Sequence, residues 1–234
     1  MTAGLVRLLQ ANPAFGVLPA REIEAIAAVA AEASYRAREV IFREGDPAVW
    51  LWLVRAGHVK ILRQSAAGKD VVLELLGPGE MFGAVAVFEG RPYPATAQTS
   101  EDAVVVRVPA PAIVALGERH PAFVKEIFRM ISRRLRTAHD SVRSLAVDPA
   151  ESRLAAALLR TAEREGRREG RGVALPFPLT RQSLADMSGT TVETAIRVIG
   201  HWQRDGLVRD ADGRLVVLDL DALRALAEGE HEDR

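Results

Sequence analysis

The sequence predicts an α+β chain: an antiparallel β jelly roll joined by one long helix to a smaller, mainly helical domain. Three observations predict it. Between residues 39 and 108 short apolar runs alternate with Gly/Pro turns, the pattern of strands that avoid exposed edges by closing on themselves. From Val124 an apolar residue recurs at alternating spacings of four and three, for about three heptads. Beyond Pro149 helical periods return and end in a short hairpin pattern. With 234 residues, 48% hydrophobic and 26% charged, the chain has enough apolar surface for one large core or two modest ones.

The elements follow in order. Helices are expected at 5–10 and 20–32. Strands then follow at 39–42, 50–54, 59–62, 71–76, 95–99 and 103–108. The connections carry turn chemistry: Arg43-Glu44-Gly45-Asp46-Pro47, Arg55-Ala56-Gly57, Gly77-Pro78-Gly79 and the loop Phe82-Gly83. After Pro111 the period is helical. Val124, Phe128, Ile131, Leu135, Ala138, Val142 and Leu145 form an a/d seam, with Lys125, Arg129, Arg133, Arg134, Arg136 and Arg143 outside it. A stripe of that length between two domains is expected to pair with a second copy. The domains are therefore placed at 1–120 (barrel with amino-terminal helices), 121–147 (dimerisation helix) and 148–234.

In the last domain, residues 151–165 read as a helix and the charged, glycine-rich run 164–172 as a solvated loop; 228–233 read as a frayed acidic tail. Leu179-Thr180-Arg181-Gln182-Ser183-Leu184-Ala185-Asp186-Met187 reads as a short helix capped by Thr180, with Leu184 and Met187 inward. A turn at Ser188-Gly189-Thr190 leads to a helix over 191–204. Its inner side would be Ala195, Val198, Ile199 and Trp202, and its outer side Val192, Glu193, Ile196, Arg197, Gly200 and His201. Two short helices joined by a glycine turn make a helix-turn-helix, and the hairpin at 206–218 makes a wing. Arg197 suits guanine O6 and N7, and Glu193 suits cytosine N4; an i, i+4 surface ion pair is the plainer alternative. Thr180, Arg181 and Gln182 sit where side chains and free N–H groups meet phosphate. Thr194 and His201 complete the expected contact set.

Composition excludes several classes. The 31 Lys+Arg equal the 31 Asp+Glu, so a charged partner must be recognised locally. With no cysteine there is no disulfide, thiolate nucleophile or iron-sulfur cluster. No apolar stretch reaches the ~18 residues of a membrane span and no secretory leader is visible, so a cytoplasmic protein without membrane contact is expected. An enzyme of the cupin type would need two or three clustered histidines. No two of the five lie within ten residues of each other, and a non-enzyme is expected. A regulatory module acting on a protein partner is a further class, disfavoured by the reading helix.

Taken in order, these motifs resemble the Crp/Fnr transcription regulators. The likeness runs from about Phe15 to about Leu218. It rests on Phe42-Arg43-Glu44-Gly45-Asp46-Pro47, Gly57, Leu76-Gly77-Pro78-Gly79-Glu80-Met81-Phe82-Gly83, Ala95-Thr96-Ala97, Leu179-Thr180-Arg181-Gln182, Val192-Glu193-Thr194 and Arg197. The resemblance implies a homodimer with an effector barrel of the cyclic-nucleotide-binding type and a winged helix-turn-helix. It also implies duplex DNA with a palindromic operator and RNA polymerase as partners, in activation or repression. The reading helix is closer to the Fnr type than to the Crp type, which has arginine at the Val192 place; Fnr itself has serine at the Ile196 place.

The effector pocket implied by the resemblance would involve Phe82, Gly83, Ala84, Arg91, Tyr93, Pro94, Ala95, Thr96, Arg134, Ala138 and His139. Cyclic-nucleotide members hold ribose with glutamate after Phe-Gly, phosphate with an arginine about nine residues on, and purine with Thr-Ser on the long helix. Here Ala84, Tyr93-Pro94 and Ala138-His139 stand at those places. A non-cyclic-AMP effector or none is therefore expected, with a cyclic-AMP-responsive regulator of non-standard pocket as the alternative. Tyr93 either plugs the pocket or lines a site for another small molecule. No cofactor is expected; a haem held by His58, His120 or His139 stays open, against structural roles for each.

Overall fold

The computed structural model describes residues 2–64, 70–175, 180–211 and 214–229. Leu179, the wing tip Asp212-Gly213 and the acidic segment beyond Gly229 lie outside the described residues. The chain forms two compact units, 1–135 and 136–234.

The first unit opens with α1 (Thr2–Ala11), α2 (Pro13–Gly16) and α3 (Ala20–Val29). The strands are β1 (Ala31–Tyr35), β2 (Val40–Phe42), β3 (Trp50–Ala56), β4 (Val59–Gln64), β5 (Asp70–Leu76), β6 (Met81–Phe82), β7 (Thr96–Thr99) and β8 (Ala103–Pro109). They form two antiparallel sheets, β1-β8-β3-β6 and β2-β7-β4-β5, as expected of a jelly roll. Alternate residues of β3 serve two cores. Leu51 and Leu53 pack with the helices around Phe15 and Ile113; Trp52 and Val54 pack inside the roll with Phe42, Phe82 and Tyr93. That double duty is why β3 reads as a continuous apolar run.

Several expectations are corrected. The helix drawn to Glu32 stops at Val29, and Ala31–Tyr35 pairs with β8 over five residues. An alanine-rich stretch has good helix propensity, but a full strand ladder overrides it. Phe82 belongs to a strand rather than a loop. Three helices went unread in this unit: the short α2, α4 (Ala84–Glu89), bounded by Gly83 and Gly90 at φ 80 and 63, and α5 (Ala110–Arg119).

The long helix α6 spans Pro121–Val147. It carries two apolar stripes, where the sequence suggested one. Phe123 and Ile127, 0% and 4% exposed, join the helix-side core. Arg134 continues that line, donating to the Met81 carbonyl (2.7 Å) and facing Glu74 (3.4 Å). One residue on, Phe128, Leu135, Val142 and Leu145 are 52–69% exposed. Ile131 departs from the expected seam, being half-buried against the same core.

The second unit contains α7 (Ala150–Glu165), β9 (Arg167–Glu169), β10 (Gly172–Ala174), α8 (Arg181–Ser188), α9 (Val192–Arg204), β11 (Val208–Ala211), β12 (Arg214–Val217) and α10 (Leu220–Glu228). The run 164–172, read as a solvated loop, instead includes β9 and the start of β10, joined through Gly170 at φ 60. With β11 and β12 it makes a sheet of order β11-β12-β10-β9. Strands of three residues, one fully exposed, leave no alternation to read. The helix α10, capped by the Asp219 carboxylate on the N–H groups of Asp221 and Ala222, was also missed. Among the described residues no helix is long and apolar enough to cross a membrane.

Candidate nucleic-acid interface

The helix pair α8–α9 is built by its caps. The Thr180 hydroxyl accepts from the Ser183 N–H (3.0 Å) and the Thr191 hydroxyl from the Thr194 N–H (3.2 Å), each satisfying an orphan donor of a first turn. Between them Gly189 takes the left-handed conformation, φ 59, that ends α8. A β-carbon there would also meet the Leu145 side chain at 2.3 Å, so glycine suits the turn on both counts.

Hydrophobic burial fixes which face of α9 is free. Ala195, Val198, Ile199 and Trp202 are at most 2% exposed, while Glu193, Ile196, Arg197 and His201 are exposed and Val192, Thr194 and Gly200 half-buried. The inner and outer sides are those expected from the sequence. On α8, Leu184 is buried and Met187 half-buried; Ala185 and Ser188 are also buried.

Two contacts that the sequence did not announce hold this pair in place. The Trp202 indole N–H donates to Glu151 of α7 at 2.9 Å. Arg153 donates to the carbonyls of Asp148 (2.7 Å), Ser188 (2.8 Å) and Gly189 (3.1 Å), so one planar guanidinium fixes the turn between the helices. A charged residue in the first turns of a helix gives no sequence signal of such a role.

No ion pair joins Glu193 to Arg197 among the described residues, so the surface-pair alternative has no support. The Glu193 carboxyl is held below its usual range by its own backbone N–H and the Thr191 hydroxyl. It stays an anion, able to accept but not donate. Arg197 borders an open hollow of about 310 Å³ with Val198, His201, Arg204 and Glu151; His201 faces Asp205 at 3.1 Å. Gln182 is spent within α8, donating to Asp186 at 2.7 Å, while Arg181 is half-buried.

The residues expected around an effector are arranged differently. Tyr93 is 3% exposed and its ring lies 3.7 Å from that of Phe42, nearly parallel. Its hydroxyl donates to the Trp50 carbonyl (2.5 Å) and accepts from the Trp52 indole N–H (3.0 Å). Its backbone bonds Asp46 and Gly45. Burial pushes its phenol above the usual range, so it remains neutral. Phe82, Ala84 and Ala95 are buried; Arg91 and Pro94 are exposed. The Thr96 hydroxyl accepts from the Glu44 N–H. Ala138 and His139 are exposed on α6. His58 Nδ1 lies 2.6 Å from Glu101 and His120 Nε2 3.4 Å from Glu22. Among the described residues no group of three His, Asp or Glu side chains is arranged to hold a metal ion.

Comparison with known proteins gives the chain its kin. The cyclic nucleotide-binding domain family matches residues 32–120 and the Crp-like helix-turn-helix domain family residues 152–226. The chain is 26% identical over 211 residues to a CRP-like cAMP-activated global transcriptional regulator of Mycobacterium tuberculosis, covering 89% of this chain and 94% of that one. It is 29% identical over 195 residues to the transcriptional activator protein anr of Pseudomonas aeruginosa, covering 83% and 79%. The solved structure of FixK2 from Bradyrhizobium japonicum shares the fold with a TM-score of 0.76 at 24% identity, over 85% of this chain and 97% of that one. With both halves matched in order, the chain belongs to the Crp/Fnr family of transcription regulators and carries a helix-turn-helix DNA-binding domain.

Proposed function

We propose that two copies of this chain associate along the exposed seam of α6 and read a palindromic operator. In this reading the second half of each copy supplies Glu193 and Arg197 to one major groove, and half-site centres lie about one helical turn, ~34 Å, apart. The observation that carries it is the pair of exposed, opposite charges, not paired with each other, on the outer face of a helix whose inner face is fully buried. Thr180, Arg181, Val192, Thr194 and His201 supply positioning contacts around that pair. The complex acts on transcription through RNA polymerase and performs no catalysis.

The regulator works without cyclic AMP, under another small molecule or under none. Tyr93 supports this: its ring fills the place where the family's phosphate-binding arginine belongs. Arg91, two residues away, is exposed. A phosphodiester buried there without a guanidinium would keep an unpaired charge at a cost of several kcal/mol. The cAMP-activated relative favours the second reading, a cyclic-AMP-responsive regulator with a non-standard pocket. Adding cyclic AMP is expected to leave both the melting temperature and the operator affinity unchanged; a rise in either would favour the second reading.

Sedimentation and footprinting on the chain's own upstream DNA test the whole proposal. The wild type is expected as a dimer protecting two symmetric half-sites. Leu135→Asp, which would bury charge in the seam, is expected to sediment as a monomer and protect nothing. A monomeric wild type without sequence preference at physiological salt would refute it.

A further inference from the structure

Strand alternation puts one charge on a face of the first unit that is otherwise almost wholly apolar. The register sets Ala31, Arg107 and Trp52 side by side across β1, β8 and β3, with Ala33, Val105 and Val54 two residues along, so these residues share one face of the sheet. It is the inner face of the roll, because Trp52, Val54 and Val105 are buried there with Phe42 and Tyr93. Trp50 lies on it as well. Arg107 is the only charged residue that the register places on this face of β1, β8 and β3.

An arginine turned inward normally meets a carboxylate or a carbonyl. Among the described residues the Arg107 guanidinium has no ion pair and no hydrogen bond, and its Nε is buried without an acceptor. Its partner is the Trp50 ring, whose centroid lies 4.7 Å from the guanidinium carbon. Stacking of this kind uses the flat face of the cation and leaves the N–H donors in its plane unused. The indole is itself fixed in place, since the Trp50 carbonyl accepts from the Tyr93 hydroxyl at 2.5 Å. This end of the face is also open. Arg107, Trp50, Ala31 and Ala33 are half-buried, whereas Trp52 and Val105 are 4% and 0% exposed. Ala31, directly opposite Arg107, ends in a methyl group and raises no wall beside the guanidinium.

We propose that Arg107, backed by the Trp50 ring, binds a small organic monocarboxylate. A carboxylate offers two parallel acceptors that match the guanidinium fork. One cation balances one negative charge; a phosphate dianion would keep a second charge unpaired beside an apolar face. The hydrocarbon body of the ligand would lie against Ala31, Ala33 and the edge of Trp50. The site uses none of the residues expected around an effector, and it does not rest on α9 reading a duplex.

Benzoate is the probe, and benzamide, its uncharged isostere, is the control. The full-length protein has three tryptophans, whose indole N–H signals are separated by nuclear magnetic resonance and assigned with single Trp→Phe variants. At constant ionic strength, benzoate is expected to shift the Trp50 signal saturably and to leave that of Trp202 in place. Benzamide and inorganic phosphate at the same concentrations should shift neither. Arg107→Lys keeps the charge without the fork and is expected to weaken benzoate binding about tenfold; Arg107→Gln should abolish saturation. Melting curves show whether each variant is folded, and if one is not, the benzoate and benzamide titrations of the wild type decide alone. An unresponsive Trp50, an equal response to benzamide, or undiminished binding in folded Arg107→Gln would overturn the inference and leave the DNA-reading function standing. Phosphate binding as tight as that of benzoate would overturn the assignment to carboxylates.

Discussion

The roll around Tyr93 and the outer face of α9 place their polar groups in opposite ways. In the roll, the Tyr93 ring is 3% exposed, stacked on Phe42 and bonded to both Trp50 and Trp52. On α9, Glu193 and Arg197 remain charged, exposed and unpartnered by one another. The first region satisfies its polar group internally; the second leaves two charges at the surface. Domain likeness alone does not carry over a ligand; the side chains present have to be read for it.

If that contrast holds, substitutions in the two regions should separate stability from binding. Tyr93→Ala should cost about 3–5 kcal/mol of unfolding free energy, because it removes a packed ring and leaves a cavity; urea denaturation monitored by tryptophan fluorescence measures it. A loss below about 1 kcal/mol would mean the ring is replaceable by solvent and the pocket open. Arg197→Ala should leave denaturation unchanged but lose about 1–3 kcal/mol of affinity at one G·C pair. Equal losses on operator and random duplex would remove its assigned role. Gly200→Ala should raise unfolding free energy by about 0.5–1 kcal/mol through helix propensity alone; a destabilised variant would mean that the space beside it is needed by the fold. The mildest effect is expected for Arg181→Ala, which should lower the slope of log affinity against log salt by about one unit. An unchanged slope would place Arg181 away from phosphate.

Much of this arrangement was legible in the sequence wherever periodicity and capping agreed. The inner residues of α9, the cap Thr180 and the turn at Gly189 follow from a 3.6-residue period bounded by Thr and Gly, whereas Thr191, drawn as the first residue of the helix, is its cap. The long strands of the roll follow from apolar runs between turns. What stayed hidden depends on distant partners. Ala31–Tyr35 has helical composition and becomes a strand only because β8 lies beside it. The buried stripe Phe123–Ile127 was masked by the longer exposed stripe one residue away. For Tyr93, the position was readable but not its contacts, which come from Phe42, Trp50 and Trp52, each about 40 or more residues away in the chain. Arg153 and Glu151 gave no signal, since a hydrogen bond to a carbonyl 35 residues away leaves no local pattern.

Arg153 has a mechanical consequence. Its three acceptors come from two places far apart in the chain, Asp148 just after α6 ends and the Ser188–Gly189 corner. Because the guanidinium is a rigid plane, it ties those places to one another at fixed angles. Arg153→Lys, which lacks the planar fork, is expected to loosen this joint without unfolding the domain.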